Sequence, residues 1–298
     1  MSHDHSGDAP KSGLRLAIVI GLNFVITAAE IVGGLISGSL SLISDALHNF
    51  SDGIAVIIAW IAIRLDRRPR TDQYTFGLHR AQVLAAVVNA GVLIAISVYL
   101  FIEAWHRLVD PRPIEGGVMA AVAGVGLVAN VLGTWLLRRG STQNMNLRAA
   151  YLHLFSDAVS SIGVILGGLA VVFLGVTWVD PLLTVLIGVY VMKESLAILS
   201  DALGILMLRT PGDLSLEEVR AAIRAVPGVV DIHHLHLWEV VEHDIHFEGH
   251  VVLEDQPLHD VEPIRFAIEA LLQERFDIGH TTLQFEAADG RCATAEVT

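Results

Sequence analysis

Cysteine is almost missing from this chain: the single one, Cys292, stands near the C-terminus. That excludes an internal disulfide and any cysteine-rich metal cluster. The string His-Glu-x-x-His, which marks a common class of zinc hydrolases, is also absent. The first residues, Met-Ser-His-Asp-His-Ser-Gly-Asp, lack a basic n-region, and no small-residue cleavage site follows the first apolar run. A cleavable signal peptide is therefore not expected. Lysine is missing from the whole segment after Arg209, where arginine is scarce too.

What is present is strongly segregated. The chain is 53% apolar yet carries a formal net charge of −13, and its mean hydropathy is +0.58. Such values coexist only when apolar and charged residues occupy different regions. Six apolar runs of membrane-spanning length, roughly 20 residues or more each, lie near Leu14–Ile36, Ser39–Leu65, Ala81–Val109, Gly116–Leu137, Asn146–Gly175 and Val179–Met207. Residues 210–298 hold 18 Asp and Glu, five Arg and eight of the 14 His. The expected organisation is an N-terminal tail over 1–13, a six-span membrane domain over 14–209 and a soluble domain over 210–298.

Arginine and lysine set the orientation. With the N-terminus inside, the inner segments carry Lys11, Arg15, Arg64, Arg67, Arg68, Arg70, Arg80, Arg138, Arg139, Arg148 and Arg209, and the outer loops carry only Arg107 and Arg112. This positive-inside bias places both termini in the cytoplasm, and the acidic tail does not oppose it, because Asp and Glu weigh little in the rule. Pro111 and Pro113 separate the third span from the fourth, and Trp178, Asp180 and Pro181 open the sixth. Gly33-Gly34 and Gly167-Gly168 offer close helix packing. Lys193-Glu194 in the sixth span leaves two readings: the helix ends early, or the pair faces a wet cavity.

One string recurs inside the apolar region. His48-Asn49-Phe50-Ser51-Asp52 lies in the second run and His153-Leu154-Phe155-Ser156-Asp157 in the fifth. In each, a histidine and an aspartate are four residues apart and so share a helix face. Ionisable groups in hydrocarbon are costly and point to function. Two such helices facing each other supply two nitrogens and two carboxylate oxygens, a donor set that suits tetrahedral Zn²⁺. One divalent cation neutralises two aspartates with neutral imidazoles; without it, protons must replace it on the same atoms. Exchange of metal for protons follows. The rival reading, a His–Asp hydrogen bond that glues helices, is disfavoured by recurrence in two spans. Asp45 shares the face of His48, with its role left open: a carboxylate on the access path, a helix-end cap, or a pore-lining solvated acid. Asn23 and Asn89 are expected in polar packing and Ser51 and Ser156 in helix–helix hydrogen bonds, while Glu30 stays open.

Beyond residue 209 the pattern reads helix Leu216–Ala225, strands Val230–Val241 and Ile245–Leu253 about a turn at Glu242–Asp244, helix Asp260–Phe276 and strand Thr281–Glu286. This suggests a small α+β sandwich with helices on one sheet face. Strand alternation puts His234 and His236 on one face and His233 on the other.

Three further strings join the two His-x-x-x-Asp pairs. They are Gly38-Ser39-Leu40-Ser41-Leu42-Ile43-Ser44-Asp45-Ala46-Leu47-His48, then Tyr74-Thr75-Phe76-Gly77 with Arg80-Ala81, then His233-His234-Leu235-His236-Leu237-Trp238. With these the chain resembles the cation diffusion facilitators, zinc transporters, and within them the zinc–cobalt–cadmium resistance branch. The resemblance implies an α-helical membrane protein of six transmembrane helices with a C-terminal cytoplasmic α+β ferredoxin-like domain. It implies a homodimer in a lipid bilayer, here a bacterial inner membrane, that exports Zn²⁺, with Cd²⁺ and Co²⁺ as further substrates, against protons. Neither an enzymatic activity nor a nucleic-acid partner is expected.

The resemblance also carries departures. The family's metal site between spans two and three falls on Thr71, Tyr74 and Leu78, so that site is expected to be missing; Asp72 and His79 lie nearby at other spacings. The loop Arg138–Asn146 has no histidine where many relatives are histidine-rich, and His3 and His5 remain as a short N-terminal pair. In the tail, His233 and His250 match two cytoplasmic metal ligands, with the others near Gln284 and Glu286. Glutamine is a poor zinc ligand, so His236, His246 and His280 become substitutes. Metal there implies a clamp that closes the dimer in response to cytosolic zinc; surface histidines on an acidic domain are the plainer reading. A metalloenzyme is disfavoured by the closed four-ligand set. A membrane metal sensor that binds without transport is the remaining alternative.

Overall fold

Six long helices stand where the six apolar runs were expected. A computed structural model describes residues 9–66, 70–138, 145–212 and 214–288. His3, His5 and most of the loop after Arg138 lie outside the described residues. The helices are α1 (Ala9–Ser37), α2 (Leu40–Asp66), α3 (Ala81–Val109), α4 (Gly116–Leu137), α5 (Met145–Leu174) and α6 (Val179–Leu206). Among the described residues, α3, α4, Tyr151–Leu174 of α5 and α6 are long and apolar enough to cross a membrane, and α1 adds a shorter apolar stretch, Gly21–Ser37. Their outward side chains are apolar: Val88, Val92, Tyr99, Val128, Leu166 and Leu186 are all exposed. An apolar exterior of this extent suits lipid, and helices satisfy their own backbone within it.

Small residues set the helix spacing. A Cβ on Gly168 of α5 would come within 2.8 Å of the Gly116 carbonyl oxygen and 2.9 Å of the Ala120 backbone nitrogen on α4. Only a hydrogen lets the two backbones meet so closely. On α4, a Cβ at Gly126 would lie 2.8 Å from Glu30 Oε1 of α1. α6 does not end early: it continues through Lys193-Glu194, both exposed, and the Tyr190 hydroxyl donates to Glu194 Oε1 at 2.7 Å.

After α6 come α7 (Leu216–Arg224), β1 (Val229–Glu239), β2 (Ile245–Leu253), α8 (Leu258–Phe276) and β3 (His280–Ala287). Ser215 caps α7 by accepting from the Glu218 N–H at 3.4 Å, with Glu217 and Glu218 in the first turn, where the helix dipole favours them. Asp277, left-handed at φ 54°, closes α8. The sheet order is β1-β2-β3; β1 and β2 form an antiparallel pair, and α8 is the crossover that makes β2 and β3 parallel. Val219 and Ile223 of α7 and Ile268 and Leu272 of α8 pack on Phe247 and Val251 in a buried core. Each such side chain contributes about 1.5–3 kcal/mol on burial. Both helices thus cover one face, and the other face of the sheet is left for polar residues.

The chain separates into two compact units, Met1–Trp60 with Val88–Ile198, and Ile61–Val87 with Leu199–Thr298. The second unit takes in the α2–α3 connection as well as the C-terminal sheet and its helices.

Candidate metal sites

In the first unit, α2 and α5 bring the two repeated strings together. The ring centroids of His48 and His153 lie 5.9 Å apart, edge to face. His153 Nε2 is 3.4 Å from Asp157 Oδ2, one helical turn on. His48, His153 and Asp157 each offer a ligand atom within 4.8 Å of the others, a grouping able to hold a metal ion. Asp157 is 3% exposed, and both histidines are part-buried. The side chain of Asp52 lies outside the described residues; its backbone continues α2 one turn beyond His48.

His48 and Asp157 border a cavity of about 360 Å³, also lined by Asp45, Ser156, Ser160 and Tyr190. Asp45 does not cap a helix end. It is buried within α2 and its Oδ1 accepts from Ser160 Oγ of α5 at 2.8 Å. Glu30, 1% exposed, accepts from Asn49 Nδ2 at 3.1 Å. Asn23 Nδ2 donates to the Asn49 carbonyl at 3.4 Å, and Ser51 Oγ donates to Asn89 at 2.9 Å, so these polar groups join α1, α2 and α3.

Asp180, which the sequence marked only as part of the opening of the sixth span, is fully buried. Its Oδ1 accepts from Ser39 Oγ and Ser41 Oγ, each at 2.6 Å, and from the Ser41 N–H at 3.1 Å. Its Oδ2 accepts from the Leu40 N–H at 2.8 Å, and Arg107 Nη1 stands 4.0 Å away. Arg107 also donates to the Gly38 carbonyl. The first turn of α2, the helix that carries His48, is therefore tied to the start of α6 and the end of α3. An acid beside a proline at a helix start gave no hint of partners so distant in sequence.

In the second unit, the face of the sheet away from the helices carries most of the tail's histidines; His243 lies in the β1–β2 turn and His259 on α8. His250 Nδ1 lies 2.9 Å from Glu286 Oε1, and His233 Nε2 lies 3.4 Å from Glu286 Oε2. The three form a second grouping able to hold a metal ion. Gln284 Nε2 donates to Glu286 Oε1 at 2.9 Å, so it orients the carboxylate. The expected alternation of His233 against His234 and His236 is overturned. A bulge between His233 and His236, with His234 left-handed at φ 52°, puts two residues opposite one. Ile232, Leu235 and Leu237 face the core. The rings of His234 and His236 lie 4.8 Å apart, and His234 lies 4.8 Å from His250.

His280 does not join this group. It pairs with His246, their rings 4.4 Å apart, at a register position four residues along the sheet from the His250–Gln284 pair. At about 3.3 Å per residue that is about 13 Å. Thr71 and Tyr74 are joined to each other by backbone hydrogen bonds, and Leu78 accepts one from Ala81.

Burial holds the His246 imidazole below its ordinary pKa of 6.5; Asp244 opposes the shift, and His280 and Arg70 add to it. The proton thus prefers the unfolded chain. Stability from the neutral buried ring is present above about 6.5 and lost as pH falls through the lowered folded value. The expected result is a Tm that drops as the pH falls below about 6.5, with a shallower drop in His246→Phe, measured by thermal unfolding in detergent.

Known proteins match nearly the whole chain. The cation efflux transmembrane domain matches residues 16–207, and the cation efflux protein cytoplasmic domain matches residues 211–288. The metal cation efflux system protein CzcD of Cupriavidus metallidurans is 38% identical over 96% of this chain and 90% of its own length. The zinc transporter ZitB of Escherichia coli is 37% identical over 96% and 93%. The cadmium, cobalt and zinc/H(+)-K(+) antiporter of Bacillus subtilis is 34% identical over 96% and 92%. Six long helices with apolar exteriors, followed by a small sheet covered by two helices, carry these matches end to end. The chain belongs to the cation efflux, or cation diffusion facilitator, family: it is an integral membrane transporter of metal cations with a cytoplasmic C-terminal domain, and not an enzyme.

Proposed function

We propose that this transporter exports Zn²⁺ from the cytoplasm in exchange for protons, through a buried tetrahedral site made by His48, Asp52, His153 and Asp157. The observation that carries this reading is the grouping of His48, His153 and Asp157 beside a cavity between membrane helices. Two imidazoles and two carboxylates favour zinc, and admit Cd²⁺ and Co²⁺, over the oxygen-preferring Mg²⁺ and Mn²⁺. Relatives named for zinc, cadmium and cobalt support the same choice. Two aspartates balance one divalent cation, and protons must take its place when it leaves. A proton gradient inward then drives metal outward. Asp45, on the cavity wall, serves the access path.

In this reading residues 1–13 form a cytoplasmic tail, 14–209 the transport domain and 210–298 a cytoplasmic dimer clamp, in a bacterial inner membrane with both termini inside. Two chains form a homodimer. Zinc held by His233, His250 and Glu286 draws the C-terminal domains together and links export to cytosolic zinc.

The test is zinc uptake into proteoliposomes containing a zinc-sensitive dye, with and without a pH gradient. Uptake that follows the gradient supports antiport. Zinc binding with no flux at any gradient overturns transport and leaves a membrane metal sensor.

A further inference from the structure

We propose that Glu194 of α6, held by the Tyr190 hydroxyl, is the carboxylate that receives the divalent cation on its way from the cytoplasm to the buried site. The inference rests on the zinc site proposed above. The sequence left two readings for Lys193-Glu194, and α6 continues through the pair without ending. A full charge on a helix that crosses lipid is costly, and such residues mark wet cavities and ion paths.

The level of Glu194 follows from the packing. Asp180 accepts from the Leu40 N–H, so the first turns of α2 and α6 stand side by side. At about 1.5 Å per residue, His48 lies about 12 Å along α2 from Leu40, and Tyr190 about 15 Å along α6 from Asp180. Their rings, 6.2 Å apart and nearly perpendicular, meet at that level. Glu194 is one turn farther, about 21 Å from Asp180. The C-terminal end of α6 leads into the cytoplasmic domain, so Glu194 lies about 9 Å beyond His48 on the cytoplasmic side.

Tyr190 lines the cavity that His48 and Asp157 border, and its hydroxyl donates to Glu194 Oε1 at 2.7 Å. Glu194 is close enough to His48 for their charges to interact. It is exposed, and among the described residues the neighbouring Lys193 makes no ion pair with it. Adjacent side chains on a helix point about 100° apart, which keeps the lysine off the cavity side. One hydroxyl uses one of the carboxylate's roughly four acceptor positions, and the others stay open to a hydrated cation. Negative charge at the mouth of a low-dielectric cleft raises the local cation concentration. Tyr190 is thus a positioning residue that fixes Glu194 at the mouth, and Glu194 acts on arrival of the ion.

The experiment is zinc flux through the full-length protein in proteoliposomes, with zinc supplied on the side of the cytoplasmic domain over a range of concentrations. It is run at low salt and at about 1 M salt, where the Debye length is about 3 Å. Glu194→Gln is expected to lower kcat/KM for zinc about tenfold at low salt, through KM, with kcat within about twofold of wild type. The deficit is expected to shrink at high salt, because a steering charge is screened there. Glu194→Asp keeps the charge and is expected to restore most of the loss. Tyr190→Phe keeps the ring but releases the carboxylate, and is expected to show a smaller loss in the same direction. A Glu194→Gln variant equal to wild type at low salt overturns the inference. So does a loss of the same size at both salts, which marks a fault of packing. Wild type that binds zinc without flux overturns the transport reading itself and takes this inference with it.

Discussion

Asp157→Ala is expected to reduce gradient-driven zinc flux to that of protein-free liposomes, with dimer assembly and helix content unchanged. Asp157 is buried beside His48 and His153, and it is one of the two negative charges proposed to neutralise the cation. Without it, a bound divalent ion leaves a net positive charge in low dielectric, and burying an unpaired charge is expensive. Losing even an outer-shell partner of a metal typically costs about 10–100-fold in affinity or activity. Losing a ligand and a charge together is therefore expected to cost more than about 100-fold. Asp157→Asn separates the two contributions: it keeps shape and an oxygen donor but removes the charge, and it too is expected to lose transport. Flux in either variant within a factor of about ten of wild type would falsify the site assignment. Size-exclusion chromatography and a wild-type Tm distinguish a lost ligand from a lost fold.

Asp180→Ala is the substitution expected to damage the membrane domain most without touching the metal. Its carboxylate accepts four hydrogen bonds from Ser39, Leu40 and Ser41 and faces Arg107. Alanine leaves two backbone N–H groups, two hydroxyls and a guanidinium poorly satisfied in a buried place. Removing one partner of a buried charged network costs about 3–5 kcal/mol. The expected readout is a marked fall in Tm in detergent, together with reduced flux, because α2 loses the anchor that fixes the height and rotation of His48. Asp180→Asn keeps one acceptor oxygen but sets an NH₂ group against existing donors, so it is expected to fall between wild type and alanine. A Tm for Asp180→Ala equal to wild type would show that Ser39 and Ser37 cap the α1–α2 turn unaided. Scoring zinc affinity alongside flux separates positioning from binding: an unanchored α2 weakens both, whereas a purely folding defect removes protein from solution and leaves the survivors with normal affinity.

Much of the outline was legible in the chain. Spans could be placed because a lipid-facing helix must be apolar along its whole length. The His-x-x-x-Asp strings were legible because ionisable residues stand out against hydrocarbon and because a spacing of four fixes a helix face. The strands of the cytoplasmic domain followed from alternation: Ile245–Leu253 was placed to the residue.

Other features depend on distances between segments that no local pattern encodes. Nothing near Asp180 announces Ser39 and Ser41, and nothing near Glu30 announces Asn49; hydrogen bonds of this kind exist only once helices pack. Alternation misassigned His233, because a bulge shifts every residue on one side of it to the opposite face. The positions of His246 and His280 were likewise set by β2–β3 register, which put them beside each other and about 13 Å from the His250 pair at about 3.3 Å per residue. By itself, then, the sequence determined the medium in which each part of this protein lies and the helix faces that carry its candidate ligands, since solvent partition and helical period act on each segment independently. Only the tertiary structure decided which ligands meet, because that rests on register, bulges and packing between segments far apart in the chain.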